Sequence, residues 1–195
     1  GYFQSTPIQL CLMTAQIANG GFEIKPRIIF DKEKNNLKEY LKFKNENPNE
    51  KLPTDLLVSN FELKPLFKNQ ENIKIIKDAM YSSSNEPGGT SYRSRLEDKR
   101  FTFAGKTGSS QIRKFTEEQR EAEVKQNQLK YKNRDHALFI AFAPVSDPKY
   151  AISVVVEHGG TGSSAAAPIA KKVIKKVLER HSLRQSMNNL LGDSI

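Results

Sequence analysis

The sequence predicts an α+β fold, in which helices pack against an antiparallel β-sheet. Two apolar runs, His136–Ala143 and Tyr150–Val156, have the length of strands and are bounded by turn residues. Continuous apolar runs of this length are typical of central strands that are covered on both faces. Because the connection between them is short, we predict that they form an antiparallel hairpin. Residues 100–111 supply a third strand, and stretches with helical spacing precede and follow the three strands.

Length and composition agree with a single domain. At 195 residues the chain is long enough to bury a sizeable core, although only 37% of its residues are hydrophobic. The deficit is concentrated in two stretches rich in lysine, asparagine and glutamate, so the remainder can still form a core. Cys11 is the single cysteine, which excludes an internal disulfide and a cysteine metal cluster. It lies in an apolar helical stretch, and we interpret it as a buried, inert thiol.

The charge of the chain is compatible with several classes of partner. A net charge of +9 and a pI of about 9.5 permit attraction to nucleic acid, anionic lipid or acidic polymers. We expect no nucleic acid partner, because the sequence has no basic stripe interleaved with aromatic residues and no nucleic-acid-binding motif. No segment reaches the roughly 18 apolar residues of a membrane span, and the N-terminus lacks a signal-peptide pattern. We therefore expect the chain itself to be soluble.

The N-terminal part begins with a predicted helix. Ser5 or Thr6 can cap a helix that has Pro7 at its first position, and a glycine pair ends the apolar stretch that follows. Residues 22–30 are predicted to be extended. Residues 31–72 are charged and interrupted by prolines, and we favour a surface insertion over a functional loop because no residue set there converges on chemistry.

Two further elements are predicted before the third strand. Residues 73–80 repeat apolar side chains at helical spacing, which predicts a helix of about three turns that packs on the core. Residues 86–90 form a turn, and Thr90 can cap a short helix after it.

The third strand contains the most unusual local sequence in the chain. It begins with bulky residues at 101–103, which suit a pleated surface, and its side chains then become small. Lys106 and Thr107 lie between Gly105 and Gly108, so a cation and a hydroxyl stand where another backbone or a ligand can come close. That arrangement suits carboxylate binding. A β-bulge near a hairpin, with a solvated lysine, is the alternative interpretation of the tripeptide alone.

The C-terminal part alternates charged and apolar segments. Residues 112–134 form a charged loop, in which a capping box at 116–119 predicts a mobile helix. The last helix is predicted to place apolar residues on one face (Ile169, Ala170, Val173, Ile174, Val177 and Leu178) and lysines on a solvated face. The apolar period is lost beyond His181, so we expect residues 182–195 to fray.

Five segments in order carry a resemblance to a known family. They are GYFQSTPIQL (1–10), EPGGTSYRSR (86–95), KTGSSQ (106–111), DHALFIAFAP (135–144) and YAISVVVEHGGTGSSAAAPIA (150–170). Together they resemble the penicillin-recognising serine D,D-transpeptidases, and most closely the class B elongation type called penicillin-binding protein 2. The resemblance spans nearly the whole chain, residues 1–195, but covers only the C-terminal part of that family's transpeptidase domain.

The resemblance implies roles for residues of the third strand. In that family a serine attacks a D-Ala-D-Ala peptide, and the acyl group then passes to an amine on a neighbouring peptidoglycan strand. By resemblance, Lys106 and Thr107 hold the terminal carboxylate of the substrate, Gly108 lets the substrate backbone approach, and the Ser109 N–H is an oxyanion donor. Strict strand alternation would put Lys106 and Thr107 on opposite faces, so both can serve only if the flanking glycines twist the edge.

The three histidines (His136, His158 and His181) show no metal-ligand spacing, and we expect neither a metal nor a cofactor. His158 stands near the presumed groove and is a candidate groove residue, although a structural role is favoured.

The nucleophile that this chemistry requires is missing from the sequence. The family places Ser-x-x-Lys at the start of a helix and a Ser-x-Asn after it. The one Ser-x-x-Lys here, Ser146 to Lys149, lies in the predicted hairpin turn, and Pro148 forbids a helix there. Ser83-x-Asn85 and Ser186-x-Asn188 occur at helix ends in the wrong order. The chain thus carries half of an active site, and we expect it to be inactive alone.

The resemblance also implies partners and a location. The partners are peptidoglycan stem peptides ending in D-Ala-D-Ala, β-lactams, the N-terminal half of the domain and membrane proteins of cell elongation. The location is the periplasmic face of the bacterial inner membrane. Two alternatives stay open, a fragment of a related hydrolase of β-lactams or esters, and a non-catalytic interaction module whose exposed strand pairs with a peptide.

Overall fold

The predicted antiparallel sheet is present, with its strands side by side in sequence order. The computed structural model describes residues 4–26, 46, 65–112 and 125–192. Within them, the sheet has the order β1-β2-β3, where β1 is Ala104–Ser110, β2 is His136–Ala143 and β3 is Tyr150–Val156. Both neighbouring pairs are antiparallel, and the bounds of β2 and β3 are those that the two apolar runs predict.

Helices cover both faces of this sheet. The helices are α1 (Pro7–Ala18), α2 (Gln70–Asn85) and α3 (Ala167–Gly192). One face of the sheet packs against α3 in a cluster that includes Phe103, Phe139, Ala141, Ala170, Ile174 and Leu178. The other face packs against α1 and α2 through Ile17, Ala18, Met80, Ala104 and Phe142. Burial on both sides explains why β2 is apolar without alternation.

Strand β1 begins later than the sequence suggests. Residues 101–103 were predicted to open the strand, but Lys99–Phe101 form a 3₁₀ turn and the strand begins at Ala104. Phe103 is instead completely buried, and its ring meets the Phe139 ring edge-on with 5.9 Å between centroids. Burying such a side chain stabilises the fold by roughly 1.5–3 kcal/mol. The aromatic residues before β1 therefore pack in the core, whereas the small residues that follow them form the hydrogen-bonded ladder with β2.

The first helix starts as the sequence predicts. Thr6 is its N-cap: the Gln9 N–H donates to the Thr6 hydroxyl, and the Thr6 N–H donates to Gln9 Oε1 at 2.8 Å. This reciprocal pair satisfies two backbone donors that the helix would otherwise leave unpaired. Gly20 and Gly21 follow the helix with φ values of 96° and 88°, a left-handed conformation that favours glycine.

The second helix is longer than three turns, and its continuation differs from the prediction. It spans 16 residues, with the Asn69 side chain capping its N-terminus. The following 3₁₀ turn, Tyr92–Ser94, has Ser91 at its cap position and no side-chain cap bond. Thr90 is therefore not a helix cap, because its hydroxyl is engaged by β1.

The last helix differs from its prediction in two ways. Ala170, Ile174 and Leu178 are buried as predicted, but Ile169 and Val173 are 45% and 44% exposed. The described buried residues of this helix therefore form a narrow stripe that consists of Ala167, Ala170, Ile174 and Leu178. The helix also continues to Gly192, where we expected fraying from residue 182. Residues 182–191 contain neither proline nor glycine, so nothing in them stops a helix.

Several predicted segments lie wholly or mostly outside the described residues. These are the charged insertion at 31–72, the end of the extended segment at 22–30, and the capping box at 116–119 in the 112–134 loop. Of the extended segment, Phe22 forms an isolated bridge with Pro65. The described end of the loop contains two 3₁₀ turns, Gln126–Gln128 and Tyr131–Asn133. Among the described residues, no helix has the length and apolar character needed to cross a membrane.

The thiol of Cys11 is partly buried and hydrogen-bonded. Cys11 is partly buried between α1 and β3, and its Sγ donates to the Ala151 carbonyl oxygen at 3.5 Å. Burial raises the pKa of the Cys11 thiol, so the protonated form is favoured. A protonated thiol is a poor nucleophile, which supports the interpretation of Cys11 as inert.

We expect the 195-residue chain alone to self-associate or to be only marginally folded. Among the described residues, no strand pairs with the outer edge of β3. Large apolar side chains are also exposed on α1, β3 and α3, namely Ile8, Met13, Val155, Ile169 and Val173. Unpaired edges and apolar surface favour contacts between copies. Sedimentation velocity and a thermal melt test this expectation, and a monomer with a sharp cooperative transition would contradict it.

Candidate functional site

The predicted site residues lie on β1, whose outer edge is partly closed by α2. β2 pairs with β1 on one side, and within the described part of the chain no strand pairs with the other side. At the start of this edge, the Ser84 hydroxyl accepts from the Gly105 N–H (3.0 Å) and donates to the Gly105 carbonyl oxygen (3.2 Å). Ser84 is completely buried and also shares a 3.0 Å hydrogen bond with the Ser91 hydroxyl. The Ser84 side chain therefore satisfies the backbone N–H and carbonyl groups of Gly105, which could otherwise pair with another strand.

Beyond Gly105, none of the described strands pairs with the outer edge of β1. In an antiparallel pair, every second residue directs its N–H and carbonyl groups away from the partner strand. Gly105 directs both groups at Ser84, so Thr107 and Ser109 must direct theirs outward as well. Ser109 is exposed and Thr107 is partly buried. The backbone of these two residues is thus available to an extended molecule lying along the edge.

The Lys106 ammonium reaches the backbone of Thr107 despite strand alternation. The ladder with β2 is continuous from Ala104 to Ser110, so no bulge twists the edge. The Lys106 side chain instead folds back, and its ammonium donates to the Thr107 carbonyl oxygen at 2.9 Å. The Thr107 hydroxyl lies 3.0 Å from the Thr90 hydroxyl. The length of the lysine side chain therefore places its ammonium at the Thr107 backbone, without a bulge at the glycines.

The two glycines around this pair have different surroundings. A side chain at Gly105 would press on the Phe139 ring and approach the Ile140 carbonyl oxygen to 2.8 Å, so packing requires glycine there. At Gly108 a Cβ atom would meet only Leu138 Cβ, at 3.4 Å. The backbone of Gly108 is approached from the other face by Gly162, which begins the turn leading into α3. Gly105 is therefore a packing glycine, while Gly108 retains free space.

His158 lies at the end of β3, on the far side of the sheet from β1. Its ring Nδ1 donates to the Arg134 carbonyl oxygen (3.1 Å), and its backbone N–H donates to His136 Nδ1 (3.0 Å). Its ring also contacts those of Tyr131 and His136. These contacts attach the end of the charged loop to the sheet, and none of the described contacts joins His158 to residues 106–109.

A cavity of about 700 Å³ lies beside this loop end, with Arg134 and Thr161 in its lining. None of residues 106–109 lines it, so it is separate from the β1 edge. The described residues contain no group of three acidic, histidine or cysteine side chains able to hold a metal ion.

The Ser-x-x-Lys sequence occupies the connection between β2 and β3. Ser146 is not in a helix, and Lys149 forms an exposed 2.7 Å ion pair with Asp147. The Lys149 N–H donates to the Ala143 carbonyl oxygen, which fixes the turn. The lysine is thus engaged away from the serine.

Two residues that contact this edge, Ser84 and Thr90, are not predicted as site residues from the sequence. Both carry hydroxyls that reach β1 from the end of α2 and from the turn after it. The run of three serines at 82–84 was the available signal, because serine is a weak helix former and its hydroxyl needs a partner when buried.

Replacing Ser84 with alanine should destabilise the protein by about 1–2 kcal/mol. The change leaves the buried Gly105 N–H and carbonyl oxygen without their partner, and an unsatisfied buried group costs about that much. Chemical denaturation followed by circular dichroism measures the change. Ser82→Ala is the matched control, because no described side-chain bond joins Ser82 to β1. Equal midpoints for the Ser84 variant and the control would contradict the structural role of Ser84.

Comparison with known proteins places the chain in a defined group. The model of the penicillin-binding protein transpeptidase domain family matches residues 1–175. Peptidoglycan D,D-transpeptidase MrdA of Salmonella typhimurium is 27% identical over 179 residues, which are 92% of this chain and 26% of that protein. MrdA of Haemophilus influenzae is 30% identical over 180 residues, covering 92% of this chain and 25% of that protein. The chain therefore spans about a quarter of the length of these relatives.

Solved structures of the same kind share the fold. Penicillin-binding protein PBP2 from Helicobacter pylori, in a complex with MreC, superposes with a TM-score of 0.62 at 27% identity, covering 92% of this chain and 26% of that chain. Pseudomonas aeruginosa PBP2 in complex with WCK 5153 gives a TM-score of 0.57 at 28% identity, covering 89% of this chain and 30% of that chain. The prediction of an α+β fold of the penicillin-binding type is confirmed.

Proposed function

The chain belongs to the penicillin-binding protein transpeptidase family, and from that membership we propose that it forms the C-terminal part of a peptidoglycan D,D-transpeptidase of the PBP2 type. The parent enzyme would cross-link stem peptides by acyl transfer and bind penicillin. The observation that carries this proposal is the open edge of β1, where a cation, a hydroxyl and outward backbone groups occur together.

In this proposal the substrate lies along β1 as an additional extended segment. Its terminal carboxylate takes the place of the Thr107 carbonyl oxygen as partner of the Lys106 ammonium, and it accepts from the Thr107 hydroxyl. Hydrogen bonds between charged groups are short and about twice as strong as neutral ones, so this end fixes the register of the peptide. Because Ser84 already occupies Gly105, the peptide can pair only with the edge beyond it.

The reacting carbonyl of the substrate would then lie near Ser109. Its outward N–H is the proposed donor to the oxyanion that develops when the carbonyl is attacked. The nucleophilic serine and the base that activates it would come from the N-terminal half of the domain, outside the sequence described here. Gly108 would admit the substrate backbone on the side where a side chain would stand, because a Cβ atom there would meet only Leu138 Cβ, at 3.4 Å.

The proposed setting of the parent enzyme follows from its relatives. The Helicobacter pylori PBP2 structure is a complex with MreC, and we propose a similar cell-elongation partner for the parent protein. Cross-linking of peptidoglycan would occur at the periplasmic face of the inner membrane. His158 is a further candidate groove residue in this proposal, and its described contacts are with Tyr131, Arg134 and His136.

Penicillin labelling of the full-length protein tests this function. A fluorescent penicillin should acylate it, and a D-Ala-D-Ala peptide should slow acylation while a scrambled peptide of the same composition has no effect. A full-length protein that is folded but takes up no label would contradict a transpeptidase function.

The open edge also favours a second candidate, a non-catalytic module that pairs with extended peptides. Such a module would bind the scrambled peptide as well as the D-Ala-D-Ala peptide, because backbone pairing ignores side-chain order. Because a non-catalytic module has no acylation to slow, direct titration of the protein with the two peptides separates the two functions.

A further inference from the structure

A chain of hydroxyl groups connects α2 with the edge of β1. The Ser83 hydroxyl lies 3.2 Å from the Thr90 hydroxyl, which lies 3.0 Å from that of Thr107. Thr90 and Thr107 are 17 residues apart in sequence, so the fold and not local geometry brings them together. Thr90 is exposed and Thr107 is partly buried, which places the chain at the surface of the candidate site.

We propose that Thr90 is a positioning residue, which orients the Thr107 hydroxyl so that its proton points at the substrate carboxylate. This inference rests on the function proposed above for Lys106 and Thr107. Thr90 does not touch the substrate in this proposal and acts only through Thr107.

The number of available protons fixes the direction of the hydrogen bonds in this chain of hydroxyl groups. Each hydroxyl donates one hydrogen bond, and a carboxylate can only accept. For Thr107 to donate to a carboxylate, it must accept from Thr90, and Thr90 must then accept from Ser83. The order Ser83 to Thr90 to Thr107 to carboxylate is thus the arrangement in which all three hydroxyls and the anion are satisfied. Hydrogen bonds aligned in this way polarise and strengthen one another.

The backbone holds Thr90 in place independently of its side chain. Gly89 lies directly against the end of α2, where a Cβ atom would come within 2.6 Å of the Ser82 carbonyl oxygen. The Ser91 N–H donates to the Ser83 carbonyl oxygen at 3.0 Å, and the Gly89 N–H donates to the Glu86 carbonyl oxygen at 3.0 Å. Because these contacts fix the turn, removing the Thr90 hydroxyl should alter the site and leave the fold intact.

The test compares Thr90→Val, which keeps the shape and removes the hydroxyl, with Thr90→Ser, which keeps the hydroxyl, in the full-length protein. Thr90→Val should lower the efficiency of penicillin acylation about three- to ten-fold, the effect of one lost hydrogen bond. Thr90→Ser should restore most of it. Thr102→Val is the matched control, because it removes a threonine hydroxyl that binds the Lys99 carbonyl oxygen away from the edge.

Two further measurements separate positioning from a structural role. In a double-mutant cycle, Thr90→Val should have little effect once Thr107 is valine, because Thr90 acts through that hydroxyl. The loss should also shrink for a D-Ala-D-Ala substrate whose terminal carboxylate is replaced by an amide. Wild-type acylation in Thr90→Val, additive effects in the cycle, or an equal loss with the amide would overturn the proposal. A wild-type protein that takes up no penicillin would instead remove the proposed function, and this inference with it.

Discussion

The 195-residue chain alone is expected to form no covalent adduct with a penicillin. Acylation needs a serine that a neighbouring base activates, because a bare hydroxyl is a weak nucleophile at neutral pH. Ser109 and Ser110 lie on the candidate edge, but neither has a lysine one helical turn away. Ser146 has Lys149 three residues later, yet that lysine is paired with Asp147 in a turn. An oxyanion donor has no effect on rate without an attacking atom about 3 Å from the carbonyl carbon.

Intact-mass spectrometry after incubation with excess penicillin measures this directly. The full-length protein is the control and should gain one penicillin per molecule. A stoichiometric adduct on the 195-residue chain, mapped to any of its serines, would show that the nucleophile lies within this sequence. Circular dichroism of the same sample is needed, so that a lack of label is assigned to chemistry and not to unfolding.

The strands whose bounds the sequence predicts most accurately are those that consist of one continuous apolar run. β2 and β3 were located to the residue, because each is bounded by turn residues and its run is apolar throughout. The start of β1 was predicted three residues too early, because residues before the strand combine high strand propensity with a packing role in the core. Phe101 and Phe103 satisfy strand propensity, but Phe103 is used to fill the core before the strand begins. Propensity cannot distinguish a residue in a ladder from one that packs beneath it.

The site was predicted in part for a similar physical reason. Lys106 and Thr107 stand out locally, because a cation and a hydroxyl between two glycines are unusual in a strand. Ser84 and Thr90 do not stand out, since serine and threonine occur in most helix ends and turns. Their importance arises from contacts with residues 17 and 21 positions away, which single-sequence patterns do not encode. Strand alternation also takes no account of side-chain length, which lets the Lys106 ammonium reach the Thr107 carbonyl oxygen.

Along the outer edge of β1, backbone groups that are already hydrogen-bonded lie within a few residues of backbone groups that pair with no described strand. Ser84 satisfies both backbone groups of Gly105, whereas two residues later, at Thr107, no described strand pairs with the edge. In the proposed function, Ser84 would stop an extended ligand at one end, and the Lys106 ammonium would attract it close to that point. Backbone pairing would provide affinity, and the position of the cation would determine which residue of the ligand binds there. Of the changes to this edge, removing the positive charge of Lys106 should therefore have the largest effect on the rate of acylation.

Lys106→Ala in the full-length protein should slow penicillin acylation by roughly ten- to a hundred-fold. A hydrogen bond to a charged group contributes about 1.5–3 kcal/mol, and each 1.4 kcal/mol corresponds to a factor of about ten. Lys106 is exposed, and its single described bond is to the neighbouring Thr107 carbonyl oxygen, so the fold should survive the change.

Two variants separate the position of the Lys106 charge from its presence. Lys172→Ala removes one exposed positive charge from the solvated face of α3 and should leave acylation unchanged. Lys106→Arg keeps the charge but replaces a compact ammonium by a planar fork, and should fall between the wild type and Lys106→Ala. Stopped-flow measurement of acylation against penicillin concentration supplies the rates. If a folded Lys106→Ala protein reacts as fast as the wild type, the carboxylate is not held by Lys106. If Lys172→Ala slows the reaction equally, the loss reflects net charge, since a bulk electrostatic effect does not depend on which lysine is removed.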